Sequence, residues 1–360
     1  MRGGQPPGTD PQTPLSVPEV DALLAPLRGV AGLLLAVSGG PDSVAMLGVV
    51  AAWRARGQAP FVAVATFDHR LRPDSRAEAQ AVGDLCARLG LPHAVLAWES
   101  EPPRACLQEA AREARYLALG HEARRARASH LLTAHTLDDQ AETILMRLSR
   151  GSGPSGLAGM RTSTGREGVI LTRPFLGVRK SRLVATCRAH GWPFAQDLSN
   201  ADSRFTRARW RALMPALAAE GLTPERLALL AARTTRAEAA LEGLARGIVE
   251  RARRAGDGGS PAAFDARALL EQPAEIALRA LALILREAGG GDGPFRHPRL
   301  NRLEALAEAL QVAHADGRAL TRTQGGHVVT LARDGRLLVA PEGERRRGRR
   351  PIGPPSSAPD

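Results

Sequence analysis

The sequence predicts an α/β protein: an N-terminal domain on a parallel sheet, then a smaller, mostly helical domain with a short C-terminal β segment. Three observations carry this. Up to about residue 149, short apolar runs alternate with helical stretches, the order that strand–helix–strand units produce. The runs are solidly apolar, as strands covered on both faces must be. After about residue 214 the texture turns to Ala, Leu and Arg.

The elements follow in order. Residues 1–18 are rich in Pro, Gly and Thr and are expected to be disordered. The run 33–37 is the first strand and ends at a Gly-rich turn; 44–54 is a helix. A strand over 61–67 leads to a helix over 76–89. Residues 93–96 are short and extended, and 108–125 is a long helix with little to break it. A strand at 131–133 feeds a helix over 137–149. Residues 150–168, with many Gly and Ser, read as a loop. A strand at 169–172 precedes a helix over 180–190, and the first domain is expected to span 19–217. In the second, 218–343, helices are expected over 223–254, 273–288 and 299–309, with a linker at 256–261. Three extended runs, 319–322, 327–332 and 337–341, can form a small sheet. The tail, 344–360, opens basic and dissolves into Pro and Ser.

Composition narrows the function. The chain has 360 residues, 44% hydrophobic and 24% charged, ordinary for a soluble protein. Aromatics are 3%, so aliphatic residues and Ala must fill the core. A net charge of +12 points to a polyanionic partner. Of 49 basic residues only Lys180 is a lysine; it stands at a helix start and reads as a solvated residue. Arginine is the better residue for bidentate phosphate contacts. Cys86, Cys106 and Cys187 lie far apart with no CxxC, which excludes a disulfide framework and local zinc or iron–sulfur motifs and leaves them as core fillers. No apolar run approaches the ~20 residues that span a bilayer. The N-terminal segment lacks the apolar core of a secretory signal. The expectation is a soluble, cytoplasmic protein with no membrane partner.

Residues 33–43 read LLLAVSGGPDS. A buried strand runs into Ser38, Gly39, Gly40, Pro41, Asp42 and Ser43, then into a helix. Glycines let the backbone approach an anion, hydroxyls add donors, and the helix N-terminus offers unpaired N–H groups. This is a phosphate cradle at the carboxyl end of a parallel strand, where open α/β sheets bind ligands. It is neither of the common Gly-rich phosphate motifs, GxxxxGK[ST] or GxGxxG. The bland alternative is a plain strand–helix turn.

With this loop the sequence resembles the PP-loop ATP pyrophosphatases, which cleave ATP between its α and β phosphates. The resemblance implies a Rossmann-like, adenine-nucleotide-hydrolase type of sheet. Further segments narrow it: FDHRLR at 67–72, AREARY at 111–116, TAHTLDDQAET at 133–143, RGSGPSGLAGM at 150–160, RPFL at 173–176 and DLSNAD at 197–202, followed by Phe205, Thr206, Arg207 and Arg211. In order and spacing these resemble the tRNA(Ile)-lysidine synthetases over about residues 30–217; beyond that the likeness is loose. Two positions depart from that family: Thr136, where it has a second His, and Ala208, where it has Asn.

The resemblance implies a reaction. ATP adenylates the wobble cytidine of a CAU-anticodon tRNA(Ile), releasing pyrophosphate; free lysine then attacks C2 and expels AMP. ATP and Mg²⁺ are the implied cofactors, tRNA(Ile) and lysine the partners, and a homodimer is left open. Residues 38–43 would hold pyrophosphate, and Asp42 and Asp139 are the Mg²⁺ candidates, with helix capping the alternative for Asp42. Asp68, His69 and His135 are candidates for lining the nucleotide site, or are structural. Asp138, Asp139 and Glu142 share one helix face; they either bind lysine or Mg²⁺, or merely suit a positive helix end. Lysine arrives charged, with a side-chain pKa of about 10.4, so it wants a carboxylate and then a proton acceptor. Arg112 and Arg115 are candidates for phosphate or activated-base contact, against plain ion pairs with Glu109 and Glu113. Arg204, Arg207, Arg209 and Arg211 are the tRNA candidates, with the basic runs 246–254 and 345–350. A thiolase would need paired Cys, an amidotransferase a glutaminase nucleophile, and a non-catalytic RNA binder would not need the intact SGGPDS and DDQAE segments.

Overall fold

The structure, a computed structural model, describes residues 12–57, 59–69, 75–98, 107–195, 206–254, 262–288 and 300–342. The chain divides into two compact units that meet in sequence at Thr235 and Arg236. The expected division after residue 217 falls earlier, within the first unit.

The first unit opens with helix α1 (Val17–Leu24) and strand β1 (Gly32–Ala36), followed by α2 (Pro41–Ala55), β2 (Phe61–Asp68), α3 (Ser75–Arg88), β3 (His93–Ala97), α4 (Leu107–Arg125), β4 (His130–Leu132) and α5 (Leu137–Leu148). Then come α6 (Pro154–Leu157), β5 (Ser163–Arg166), β6 (Val169–Thr172), α7 (Lys180–Ala189), α8 (Thr206–Ala219) and the start of α9 (Pro224–Ala252). The sheet order is β3-β2-β1-β4-β6-β5. All neighbours are parallel except β5, which pairs antiparallel with β6 at the edge.

The apolar runs form this sheet because both faces are covered. Side chains alternate across a strand. Leu33 and Leu35 of β1, with Val62 and Val64 of β2, enter one core with Leu47 and Val50 of α2 and Leu183 of α7. Leu34, Ala63 and Ala65 enter the opposite core, against Tyr116, Leu119 and Ala123 of α4. Burying a Leu side chain is worth roughly 1.5–3 kcal/mol. Cys86 and Cys187 are buried in the first core, and burial pushes their thiols up to about 11 and about 12; Cys106 lies outside the described residues.

Three expectations need correction. Residues 12–16, expected within a disordered segment, are docked: the Leu15 amide donates to Thr186 Oγ1 at 2.9 Å, and Arg182 Nε donates to Thr13 O at 3.0 Å. Residues 150–168 are not all loop, since they contain α6 and β5. β5 reads Ser-Thr-Gly-Arg and is mostly exposed, so no apolar pattern marks it. Residues 204–211 are expected only as a basic region; Thr206–Ala219 is helix α8, whose Trp210, Met214 and Leu217 pack on Ile144 and Leu145 of α5.

The second unit holds the rest of α9, then β7 (Ala262–Asp265), α10 (Ala266–Leu270), α11 (Ala274–Ala288), α12 (Leu300–Ala315), β8 (Leu320–Gln324), β9 (His327–Leu331) and β10 (Arg336–Pro341). The three expected strands are present, and β7 adds a fourth in an antiparallel sheet of order β7-β10-β9-β8. Phe264, Leu281, Ile284, Leu310 and Leu337 centre its core. Among the described residues no helix is long and apolar enough to cross a membrane.

Candidate active site

Strand β1 lies between β2 and β4, and the chain leaves it toward opposite edges of the sheet, so the order reverses there. Such a switch point opens a crevice at the carboxyl ends of the strands. A cavity of about 250 Å³ sits at that place, lined by Ser38, Gly40, Asp42 and Ser43 after β1, by Asp68 and His69 from β2 onward, by Thr133 and His135 after β4, and by Arg115 of α4.

The loop after β1 is built from its own side chains. The Ser38 amide donates to Ser43 Oγ at 3.1 Å, and Ser43 Oγ donates to Gly40 O at 2.9 Å. Gly39 has φ +87°, a backbone that L side chains rarely adopt. Gly40 caps α2 and Pro41 takes its first turn, where a missing N–H costs nothing. The amide and hydroxyl groups of the turn therefore converge at a helix N-terminus beside the cavity.

Asp42 follows immediately. Its Oδ2 accepts from Lys180 Nζ at 2.7 Å, while its Oδ1 is buried without a hydrogen-bond partner. Burial raises its pKa; the Lys180 ammonium opposes that, and Asp139 and Asp138 add to it. Asp138 is a clamp: Arg179 Nη1 donates to its Oδ1 at 3.1 Å and the Lys180 amide to its Oδ2 at 2.7 Å. Asp139 closes a capping box on α5, its Oδ2 accepting from the Thr136 amide at 2.8 Å and the Thr136 hydroxyl at 2.9 Å. Thr136, one of the two departures noted above, is thus the buried helix cap. Glu142 is 2% exposed. Its Oε1 accepts from Arg211 Nε at 2.9 Å and its Oε2 is buried without a partner. Burial raises its pKa against the pull of Arg211.

Basic and aromatic groups form the other wall. His135 Nδ1 lies 2.9 Å from Thr133 Oγ1. Burial lowers its pKa to about 4, against Asp139 and with help from Arg173, Arg115 and Arg207, so the ring is neutral at pH 7. His69 stands edge-on to Phe67, with ring centroids 4.7 Å apart. Tyr116 is fully buried under Arg166, Arg115 and Arg112, whose guanidinium carbons lie 4.1, 5.1 and 5.2 Å from its ring centre. Burial would raise the Tyr116 pKa, but Arg115, Arg112 and Arg173 lower it overall. Glu113 pairs with Arg166 at 2.6 Å rather than with Arg112.

The Gly-rich segment 150–160 is fastened to α5. Gln140 Nε2 donates to Met160 O at 2.9 Å, and Gln140 Oε1 accepts from the Met160 amide at 2.7 Å. Gly159, at φ +69°, lies so close that an added Cβ would meet the Gln140 amide at 2.8 Å.

The structure thus gathers Ser38, Gly40, Asp42, Ser43, Asp68, His69, Arg115 and His135 on one cavity. Asp138, Asp139 and Glu142 stand on the adjoining α5, with Arg112 on α4. Arg207 and Arg209 are exposed on α8, Arg211 is tied to Glu142, and Arg204 lies outside the described residues. In the run 246–254, Arg246, Arg253 and Arg254 pair with Glu242, Glu287 and Asp265; the run 345–350 is outside the described residues. Sequence reasoning passed over Tyr116 and Arg166 and misread Lys180 as solvated. Lys180 and Tyr116 carried a usable signal, being the single lysine and the single tyrosine; Arg166 carried none.

A PP-loop domain family matches residues 15–217. A tRNA(Ile)-lysidine synthase of Methylobacterium sp. (strain 4-46) is 51% identical over 347 residues, covering 95% of this chain and 99% of that one. One from Rhodopseudomonas palustris is 46% identical over 346 residues, covering 94% and 98%. Among solved structures, a U34-tRNA thiolase, NcsA from Methanococcus maripaludis, aligns with 60% of this chain and 78% of its own at 14% identity and a TM-score of 0.48.

Proposed function

The chain belongs to the tRNA(Ile)-lysidine synthase family, and from that premise we propose how its first unit works. The protein is a ligase that forms a carbon–nitrogen bond. It uses ATP to join free lysine to C2 of the wobble cytidine in a CAU-anticodon tRNA(Ile), releasing pyrophosphate and AMP, and acts in the cytoplasm. The observation that carries the reading is the Ser38–Ser43 loop at the switch point, on one cavity with His135 and Arg115.

The chemistry sets the roles. A cytosine C2 carbonyl is a poor electrophile, and adenylation of its oxygen supplies a leaving group. The loop's amides and hydroxyls stabilise charge growing on pyrophosphate. Arg115, with Arg112 behind it, faces the transferred phosphate or the activated base. Asp68 and His69 line the nucleotide side, and neutral His135 supplies an uncharged imidazole beside the reacting base.

The lysine amine arrives charged. Asp138 has both oxygens engaged, so Asp139 and Glu142 are assigned to the ammonium. The raised pKa of Glu142 suits it to accept the proton that must leave before attack. The buried, unpartnered Oδ1 of Asp42 is a hard oxygen donor of the kind Mg²⁺ takes along with substrate phosphates. Asp42, with Asp139 near, would hold that ion, which neutralises charge on the phosphates. Arg207 and Arg209 contact the tRNA backbone.

The test is incubation of the full chain with ATP, Mg²⁺, ¹⁴C-lysine and a CAU-anticodon tRNA(Ile) transcript. Label in the RNA is expected, together with tRNA-dependent ATP–pyrophosphate exchange. Unlabelled RNA overturns the reading.

A further inference from the structure

One contact of the first unit is unused by this chemistry. Lys180, the only lysine among 49 basic residues, reaches Asp42 from 138 positions away. Its own backbone is fixed, because its amide and the Arg179 side chain both donate to Asp138. Its ammonium takes Asp42 Oδ2 at 2.7 Å. Asp42 Oδ1 stays buried and without a hydrogen-bond partner. The carboxylate is held by one oxygen and open at the other.

The choice of lysine has a physical reason. A guanidinium is a planar fork that meets a carboxylate through two parallel bonds and takes both oxygens. An ammonium is a compact point charge that satisfies one. In a chain that uses arginine at every other basic position, arginine here would close Asp42. We propose that Lys180 is a positioning residue: it holds Asp42 by Oδ2 alone and so keeps Oδ1 open as the protein's ligand to the divalent cation that accompanies ATP. The proposal rests on the reading of the Ser38–Ser43 cavity as the nucleotide site.

Lys180→Arg keeps the charge and offers the fork. It should weaken equilibrium binding of Mn²⁺ in the presence of ATP, measured without tRNA or lysine, by about 10–100-fold, the cost typical of disturbing a group behind a metal ligand. Its thermal midpoint should stay close to that of the parent. Equal Mn²⁺ affinity in both proteins overturns the proposal. A second measurement needs no variant and decides the matter even where the arginine protein is unstable. Grown on [¹³Cε]lysine and freed of it, the full chain gives a single Cε resonance. Mn²⁺·ATP should broaden that resonance beyond detection, while Mg²⁺·ATP leaves it sharp. A sharp resonance with Mn²⁺·ATP bound puts the metal elsewhere, overturning the proposal and leaving the nucleotide site intact. Failure of Mn²⁺·ATP to bind at all overturns both.

Discussion

Ser43 shows how much one hydroxyl does at the cavity. It accepts from the Ser38 amide and donates to Gly40 O, so it fixes the loop before any ligand arrives. Ser43→Ala should lower AMP formation by about 10²–10³, the cost of removing one preorganised donor, and leave tRNA affinity unchanged. AMP release and a filter-binding assay check the two halves. His135 gives a pH signature. Its folded pKa is about 4 against an ordinary value of 6.5. Between those values the unfolded chain binds the proton and the folded one does not, so stability falls as pH drops through that window. His135→Asn should flatten the difference, read from urea midpoints at pH 4.5 and 7; an unchanged slope would contradict the assignment. Loop and histidine were both legible in the sequence, because a Gly-rich turn after an apolar strand is a local signal. The engagement of Asp138 was not, since it depends on α7 lying beside α5, whereas the Thr136 cap is a local pairing with Asp139 three residues on.

At the scale of elements, α7 is the hub. Its N-terminus meets Asp138 and Asp42, and further along Arg182 fastens the N-terminal segment. Arg182 donates to Glu19 Oε1 at 2.8 Å and to Thr13 O at 3.0 Å, with its side chain 9% exposed. Arg182→Ala should cost about 2–4 kcal/mol, since it strips a buried network and leaves its acceptors unpaired. Protease cleavage before α1 should appear with it. The Glu19 pKa is lowered to about 2, mainly by the hydrogen bond from Arg182. That contribution is complete above about 4.5 and is lost as pH falls toward 2. Glu19→Gln should remove this acid limb in pH-dependent melting. None of this was readable from residues 1–18, whose composition argues for disorder until α7 is in place. The tight packing of α2 on the segment after α7 is equally invisible: an added Cβ at Gly48 would stand 2.3 Å from the Trp192 ring.

For the whole molecule, net charge is a poorer guide than pairing. Much of the arginine in the run 246–254 is already matched by acids of its own unit. Arg207 and Arg209 on α8 are exposed. Each phosphate contact contributes about −0.7 to −0.9 to the log–log slope of affinity against salt. Replacing Arg207 and Arg209 by Ala should therefore reduce the slope by nearly two such contacts. Replacing Arg246, Arg253 and Arg254 should leave it close to the parent value. The reverse result, from tRNA binding across a salt series, would move the backbone contacts to the second unit.

By itself the sequence determined the alternation of strands and helices, the phosphate loop and the chemistry of its neighbours. These are written in periods of two and 3.6 residues and in turns of a few residues, which the chain satisfies locally. Only the tertiary structure decided that β1 stands between β2 and β4, which brings residues from three strand ends onto one cavity. It also turned a solvated-looking Lys180 into the partner of Asp42, placed Arg166 on Tyr116, and made a polar edge strand of Ser163–Arg166. The Arg166 and Lys180 pairings span from 50 to over 130 residues. Strand order, not local propensity, sets them, and no short window of sequence encodes that order.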